Sequence, residues 1–395
     1  MTYSQRCLTT LGIICPKFSL EKMDLFKKIS GISEDQLHYK FKLLRDEPWY
    51  LGARKIVDGW AKDFHDRDNK IAKEFQTSFH SAFWEIYLHA TLKHIGFGTT
   101  EKYNRPDFVI SQPEELYVEA VVSEIKDGGR PERNRTLDDH LSMLSPIASS
   151  DEFSELIDEA ISRHSNSILS KLEKYTGSQK NGKIRRGYVD CPWVKESKPY
   201  VVALASYDQV NYGKEYIYSM LALLYGLYYQ PENKSYRKIK SVKKPGTDAD
   251  IPLGIFDEIG MRNVSAVLFS NTLTLGKLSS LNKSQRFDPA FIINVRHVPE
   301  APFFRVHEVD VCSPEHLLDG LYLFRNPNAK NPLPEGLFEK TGIMEIIVDD
   351  IGMAMSGAHP PIVVRYCDAM GHGYKELIKS VAASNYNGKE AWEYI

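Results

Sequence analysis

"RPDFVISQPEELYVEAV", residues 105–121, sets two runs of strand-forming residues, 107–110 and 116–122, on either side of the turn-forming "SQPEE". Each run carries an acid, Asp107 and Glu119, among apolar neighbours. Facing positions of an antiparallel hairpin have a constant sum, and a turn centred on Pro113 sets that sum at 226, so Asp107 is predicted to face Glu119. Residues so placed have Cα atoms roughly 4.5–5.5 Å apart and side chains on one face, where two carboxylates repel. A divalent cation between them offsets the repulsion, because Mg²⁺ takes oxygen ligands and is often held by one or two carboxylates with water and substrate phosphate. Strand alternation puts Val109 on the Asp107 face and Val121 on the Glu119 face, so the pair is expected in a partly buried pocket.

Residues 71–95, "IAKEFQTSFHSAFWEIYLHATLKHI", lack Gly and Pro and predict one long helix, stopped by Gly96 and Gly98. Glu85 lies in it between Phe83-Trp84 and Ile86-Tyr87-Leu88, a poor setting for a solvated carboxylate, which should be paired or metal-linked. Gln76 is a weaker candidate for the same place. After the hairpin, 123–152 read as loop around "KDGGRPERNR", and 152–175 as a second helix, with Ile157, Ile161, Ile168, Leu172 and Tyr175 at helical spacing. A buried strand at 199–208, a helix at 214–229, and strands at 264–270 and 290–296 follow, with an ordered loop at 325–336. The order is helix, weak strand, strand, strand, helix, strand: an α/β plan. Residues 1–68 read as a helical N-terminal region, 69–300 as the core and 301–395 as a mixed α/β extension.

A helix acid, then Pro106-Asp107 opening a strand, then an acid in the next strand resembles the PD-(D/E)XK nuclease superfamily, over roughly residues 70–210. The resemblance implies a restriction-endonuclease-like core (α-β-β-β-α-β) in which Asp107, Glu119, the Ala120 carbonyl and Glu85 surround Mg²⁺ or Mn²⁺. It also implies endonuclease activity, with DNA as substrate and bacterial restriction or antiphage defence as the setting. Val121 stands where the motif expects lysine. Glu124-Ile125-Lys126 spells E-x-K, but five residues beyond Glu119 is about 16 Å along a strand and on its opposite face. A lysine moved to the next helix fits better: on a 100° wheel Lys171 lies on the shoulder of the Ile161–Leu172–Tyr175 stripe, with Lys174 further round. The Lys171 cation would orient the attacking water or stabilise charge on the phosphorane. The alternative is a relative that has lost catalysis and serves as a nucleic-acid-binding or scaffold subunit.

With 42% hydrophobic and 26% charged residues among 395, the chain has the composition of a packed protein. No apolar run reaches the ~20 residues of a membrane span, and 1–20 lack a signal-peptide pattern, so a cytoplasmic protein is expected. Five scattered cysteines show no zinc spacing and are expected as free thiols. A net charge of -2 makes any nucleic-acid surface local. Three basic groups are candidates: Lys234, Arg237, Lys238, Lys240, Lys243 and Lys244; Lys180, Lys183, Arg185 and Arg186; and Arg130, Arg133 and Arg135 beside the proposed metal. There is no GxxxxGK loop, no GxSxG elbow and no HExxH. A metal-free glycosidase would need its two acids ~5–9.5 Å apart, and a hairpin pair sits at the short end of that range. Cutting both strands often requires two active sites, which leaves room for a homo-oligomer or a defence-system partner protein.

Overall fold

The computed structural model describes residues 23–66, 70–123, 125, 128–147, 149–180, 182–207, 209–298, 303–371 and 373–386. The N-terminal helices are α1 (Tyr39–Asp46) and α2 (Leu51–Ala61), parted by the Pro48 turn. The predicted single helix over 71–95 is two, α3 (Ile71–Thr77) and α4 (His80–His94). The break is at Phe79, whose φ of 61° no helix accommodates; its ring is fully buried, so packing fixes a backbone that the sequence does not announce.

β1 (Gly98–Thr100), β2 (Phe108–Gln112) and β3 (Leu116–Ser123) come next, then the short α5 (Leu137–Met143) and the long α6 (Ser150–Thr176). The Ser149 Oγ caps α6 by accepting from the Glu152 N–H, and Asp151 and Glu152 favour its positive end. Gly177, at φ 79°, ends it. A small hairpin, β4 (Ser178–Lys180) and β5 (Lys183–Arg185), precedes the wholly buried β6 (Tyr200–Ser206). The helix expected over 214–229 is only α7 (Tyr218–Tyr225), because Gly226 turns left-handed and the chain continues as β7 (Leu227–Gln230). β7 pairs with β8 (Ser235–Lys238), and β9 (Ser241–Lys243) with β10 (Asp250–Pro252). Then come β11 (Ala266–Ser270), α8 (Leu275–Gln285), β12 (Phe291–His297), β13 (Phe304–Glu308), β14 (Tyr322–Arg325), β15 (Met344–Val348), β16 (Met353–Ser356), β17 (Ile362–Asp368) and α9 (Lys375–Tyr386).

The chain is mixed α/β, built on an eight-stranded sheet of order β1-β2-β3-β6-β11-β14-β15-β16. β3, β6 and β11 run parallel, and β2 runs antiparallel to both of its neighbours, β1 and β3. Side-chain alternation splits the core between the two faces. Leu116, Val118 and Ala120 of β3 pack with α2, α4 and α8, whereas Tyr117 packs with α6 and α7. Trp84 is fully buried and donates its indole N–H to the Ala203 carbonyl, pinning α4 across β6. A second sheet, β13-β12-β17, lies under α9. A division at residue 300 falls between the paired β12 and β13, and strands from 322–356 complete the main sheet. No described helix is long and apolar enough to cross a membrane.

Candidate active site

The hairpin has the expected register: Phe108 faces Val118, Val109 faces Tyr117 and Ile110 faces Leu116. Asp107 sits one residue before β2, beside the fully buried Glu119 on β3. Their backbones and side chains interlock. The Asp107 N–H donates to Glu119 Oε2 at 3.3 Å, and the Ala120 N–H donates to Asp107 Oδ2 at 2.7 Å. Two packed loops hold this entry. The Tyr103 and Trp193 rings stack 4.8 Å apart, and the Trp193 indole N–H donates to the Arg105 carbonyl at 2.8 Å.

α6 brings the lysines. Ile168 and Tyr175 are buried on its sheet-facing stripe, and Tyr175 stacks on Tyr200 of β6 with ring centroids 4.0 Å apart. Lys171 lies between those two residues on the helix, so its ammonium is delivered to Glu119 Oε1 at 2.7 Å. Lys174 Nζ is 3.8 Å from the same oxygen, with 53% of its side chain exposed against 12% for Lys171, the order the helical wheel predicts. Tyr188 supplies a further donor, its hydroxyl 3.0 Å from Glu119 Oε1. Nothing in its sequence neighbourhood marks Tyr188, because it reaches Glu119 across 69 residues through a loop.

Glu85 completes the acid group from α4. It shares with Asp107 a cavity of about 40 Å³, also lined by His89, Thr99, Thr100 and Glu101, with room for about three waters. Glu101 escaped the sequence reading as a neighbour of the site; His89 shares the helix face of Glu85 by their i,i+4 spacing. Gln76 is elsewhere: its amide donates to the Leu25 and Lys27 carbonyls. Glu124 and Lys126 lie outside the described residues.

The electrostatics follow from carboxylates crowded in a withdrawn place. Burial, then the Asp107 and Glu74 charges, push the Glu85 carboxyl up to about 8. Burial, then Glu119, push Asp107 up to about 6, against the pull of Lys171 and the Ala120 N–H. Burial depresses Lys171, but Glu119 and Asp107 outweigh it and hold the ammonium more firmly protonated than usual. Burial and the Lys171 charge lower Lys174. The enclosed Lys171 ammonium bonds Glu119 and acts on Asp107 and Glu85 through space, so the acid group is short of positive charge. Its donors are all oxygens, the set a hard divalent cation takes. Among the described residues no three His, Cys, Asp or Glu side chains converge as a ready metal cage, so Asp107 and Glu119 would need water or phosphate to complete a shell.

The basic candidates separate. Arg130 is exposed and pairs with Asp139 at 2.5 Å, and Arg133 is exposed on the turn before α5. Arg135 turns inward, donating to the Val210 carbonyl at 2.7 Å and to Glu132 at 3.3 Å. Lys234, Arg237, Lys238, Lys240, Lys243 and Lys244 are all exposed on or beside the β7–β8 and β9–β10 hairpins. Lys238 lies 3.7 Å from Asp257, and Lys243 3.0 Å from Asp250. The first hairpin is tied to α6 by the Tyr228 hydroxyl, which donates to Asp158, about 20 Å along the helix from Lys171. Lys183, Arg185 and Arg186 are exposed around β5. Compared with protein-family models, curated proteins and solved structures, the chain matches none.

Proposed function

We propose that the chain is a metal-dependent nuclease that hydrolyses phosphodiester bonds in DNA, with a restriction-endonuclease-like core formed by α4, β1, β2, β3, α6 and β6. The observation that carries this reading is the meeting of Asp107, Glu119 and Lys171 at the positions the PD-(D/E)XK resemblance implies, the lysine coming from α6. Asp107 and Glu119 would hold Mg²⁺ or Mn²⁺, with the Ala120 carbonyl and, at the rear, Glu85. Such an ion polarises the scissile phosphate and lowers the pKa of a bound water. Lys171, kept protonated by the acids, orients that water or steadies charge on the phosphate. Tyr188 holds the Glu119 carboxylate in place through its hydroxyl. The exposed lysines of the β7–β8 and β9–β10 hairpins offer backbone contacts.

Cleavage of plasmid and single-stranded DNA with Mn²⁺ tests the reading. Asp107→Ala and Glu119→Ala should each abolish cutting, and chelator should abolish it in wild type; cutting unchanged by both substitutions rules the site out. A second reading, a fold relative used for binding or scaffolding, is favoured by one observation: the 2.7 Å Lys171–Glu119 pair already neutralises one acid without a metal. Wild-type protein that binds DNA yet never cuts it would support that reading.

A further inference from the structure

A cavity of about 580 Å³ opens against the second sheet, apart from the acid group. It is walled by α1, the stretch from Glu132 to Ile147, the 212–218 and 271–276 segments, β17 and α9. This is the size of a small-molecule site. The exposed surface of Cys367, on β17, belongs to this wall.

Charge and ring chemistry define what would fit. The wall carries four cations, Lys40, Arg135, Lys214 and Arg365, against one carboxylate, Glu132. Glu132 is shared by two of them, Lys40 at 2.6 Å and Arg135 at 3.3 Å, and also takes the Tyr39 and Tyr212 hydroxyls at 2.8 and 3.0 Å. Behind the wall Glu315 is likewise shared, between Arg365 at 2.5 Å and Lys277 at 2.8 Å. Lys214 lies 3.5 Å from Glu152, while Glu132 and Glu315 each leave one positive charge over, and the interior favours an anion. Tyr50, Tyr216, Tyr218, Phe304, Tyr366 and Tyr386 add aromatic surface, on which a planar group stacks. The Asn271 side chain, nearly fully buried in the same wall, has its Oδ1 without a hydrogen-bond partner.

We propose that this cavity binds a small anionic heteroaromatic molecule with the chemistry of a mononucleotide, its ring among the tyrosines and its phosphate toward Lys214 and the Lys40–Arg135 pair. The assignment is independent of the nuclease reading. Calorimetric titration of the full chain in chelator, with AMP, GMP, CMP and UMP as probes and adenosine and inorganic phosphate as controls, tests it. At least one mononucleotide should bind at one site per chain, and the matching nucleoside and phosphate should each bind at least tenfold more weakly. Met143→Trp, which fills the mouth from α5, and Lys214→Ala should each weaken binding tenfold or more, with unliganded melting close to wild type. Should Lys214→Ala fail to fold, Met143→Trp decides. The double variant Asp107→Ala/Glu119→Ala should bind as wild type. The proposal is overturned if none of the four nucleotides binds, if adenosine binds as well as AMP, if the cavity variants bind normally, or if the double acid variant loses binding.

Discussion

At the residue scale the site is a contest for protons and cations. Glu119 Oε1 receives two donors, Lys171 and Tyr188, while Asp107 takes a backbone N–H. Under the proposed nuclease function, Lys171→Ala should therefore lower cleavage by two orders of magnitude or more, and Lys174→Ala, on the exposed side, by less than tenfold; single-turnover rates on one substrate check this. The raised carboxyls fix a sign for stability. Folded Asp107, near 6 rather than 3.8, and folded Glu85, near 8 rather than 4.5, hold protons more tightly than the unfolded chain. Stability is thus lost as pH rises from about 4 to about 8. In chelator at about pH 8, Asp107→Asn and Glu85→Gln should melt a few degrees above wild type, and near pH 4 that gain should vanish. Saturating Mg²⁺ should shrink the gain at the higher pH, because a bound cation relieves the same repulsion; melting curves with and without metal show it.

At the element scale, α6 and the β2–β3 hairpin do the positioning, and both were readable. The hairpin register follows from one turn, and α6 from a periodic stripe that also ranks Lys171 inside Lys174. The breaks were not readable where packing rather than Gly or Pro imposes them, as at Phe79. The over-long reading of α7 has the opposite cause: apolar residues continue past Gly226, but they belong to β7. Tyr188 was invisible because a loop contact across 69 residues leaves no local pattern. Since Ile168 is fully buried one turn from Lys171, Ile168→Ala should cost about 2–5 kcal/mol in denaturant melts. Its cleavage rate, measured where the variant remains folded, should also fall as the lysine loosens.

At the scale of the whole molecule, β14, β15 and β16 return to the main sheet, while β12, β13 and β17 form their own. What ties the second sheet to α8 is an enclosed ionic group. Glu315, with no exposed side-chain surface, joins Lys277 of α8 to Arg365 of β17 and accepts from Ser280 and Asn294. Glu315→Ala leaves two buried cations uncompensated and should cost on the order of 3–5 kcal/mol, read from urea unfolding. Replacement of an exposed pair, such as Lys330 with Glu196, should cost under about 1 kcal/mol in the same measurement.

The lysine that neutralises Glu119 lies 52 residues downstream of it. The hairpin thus brings its two acids together by local pairing, and the ammonium that offsets them comes only from the packing of α6 on β3. Tyr188, which donates to the same oxygen, lies further downstream still, so the acid corner is complete only once the chain as far as residue 188 has folded onto it.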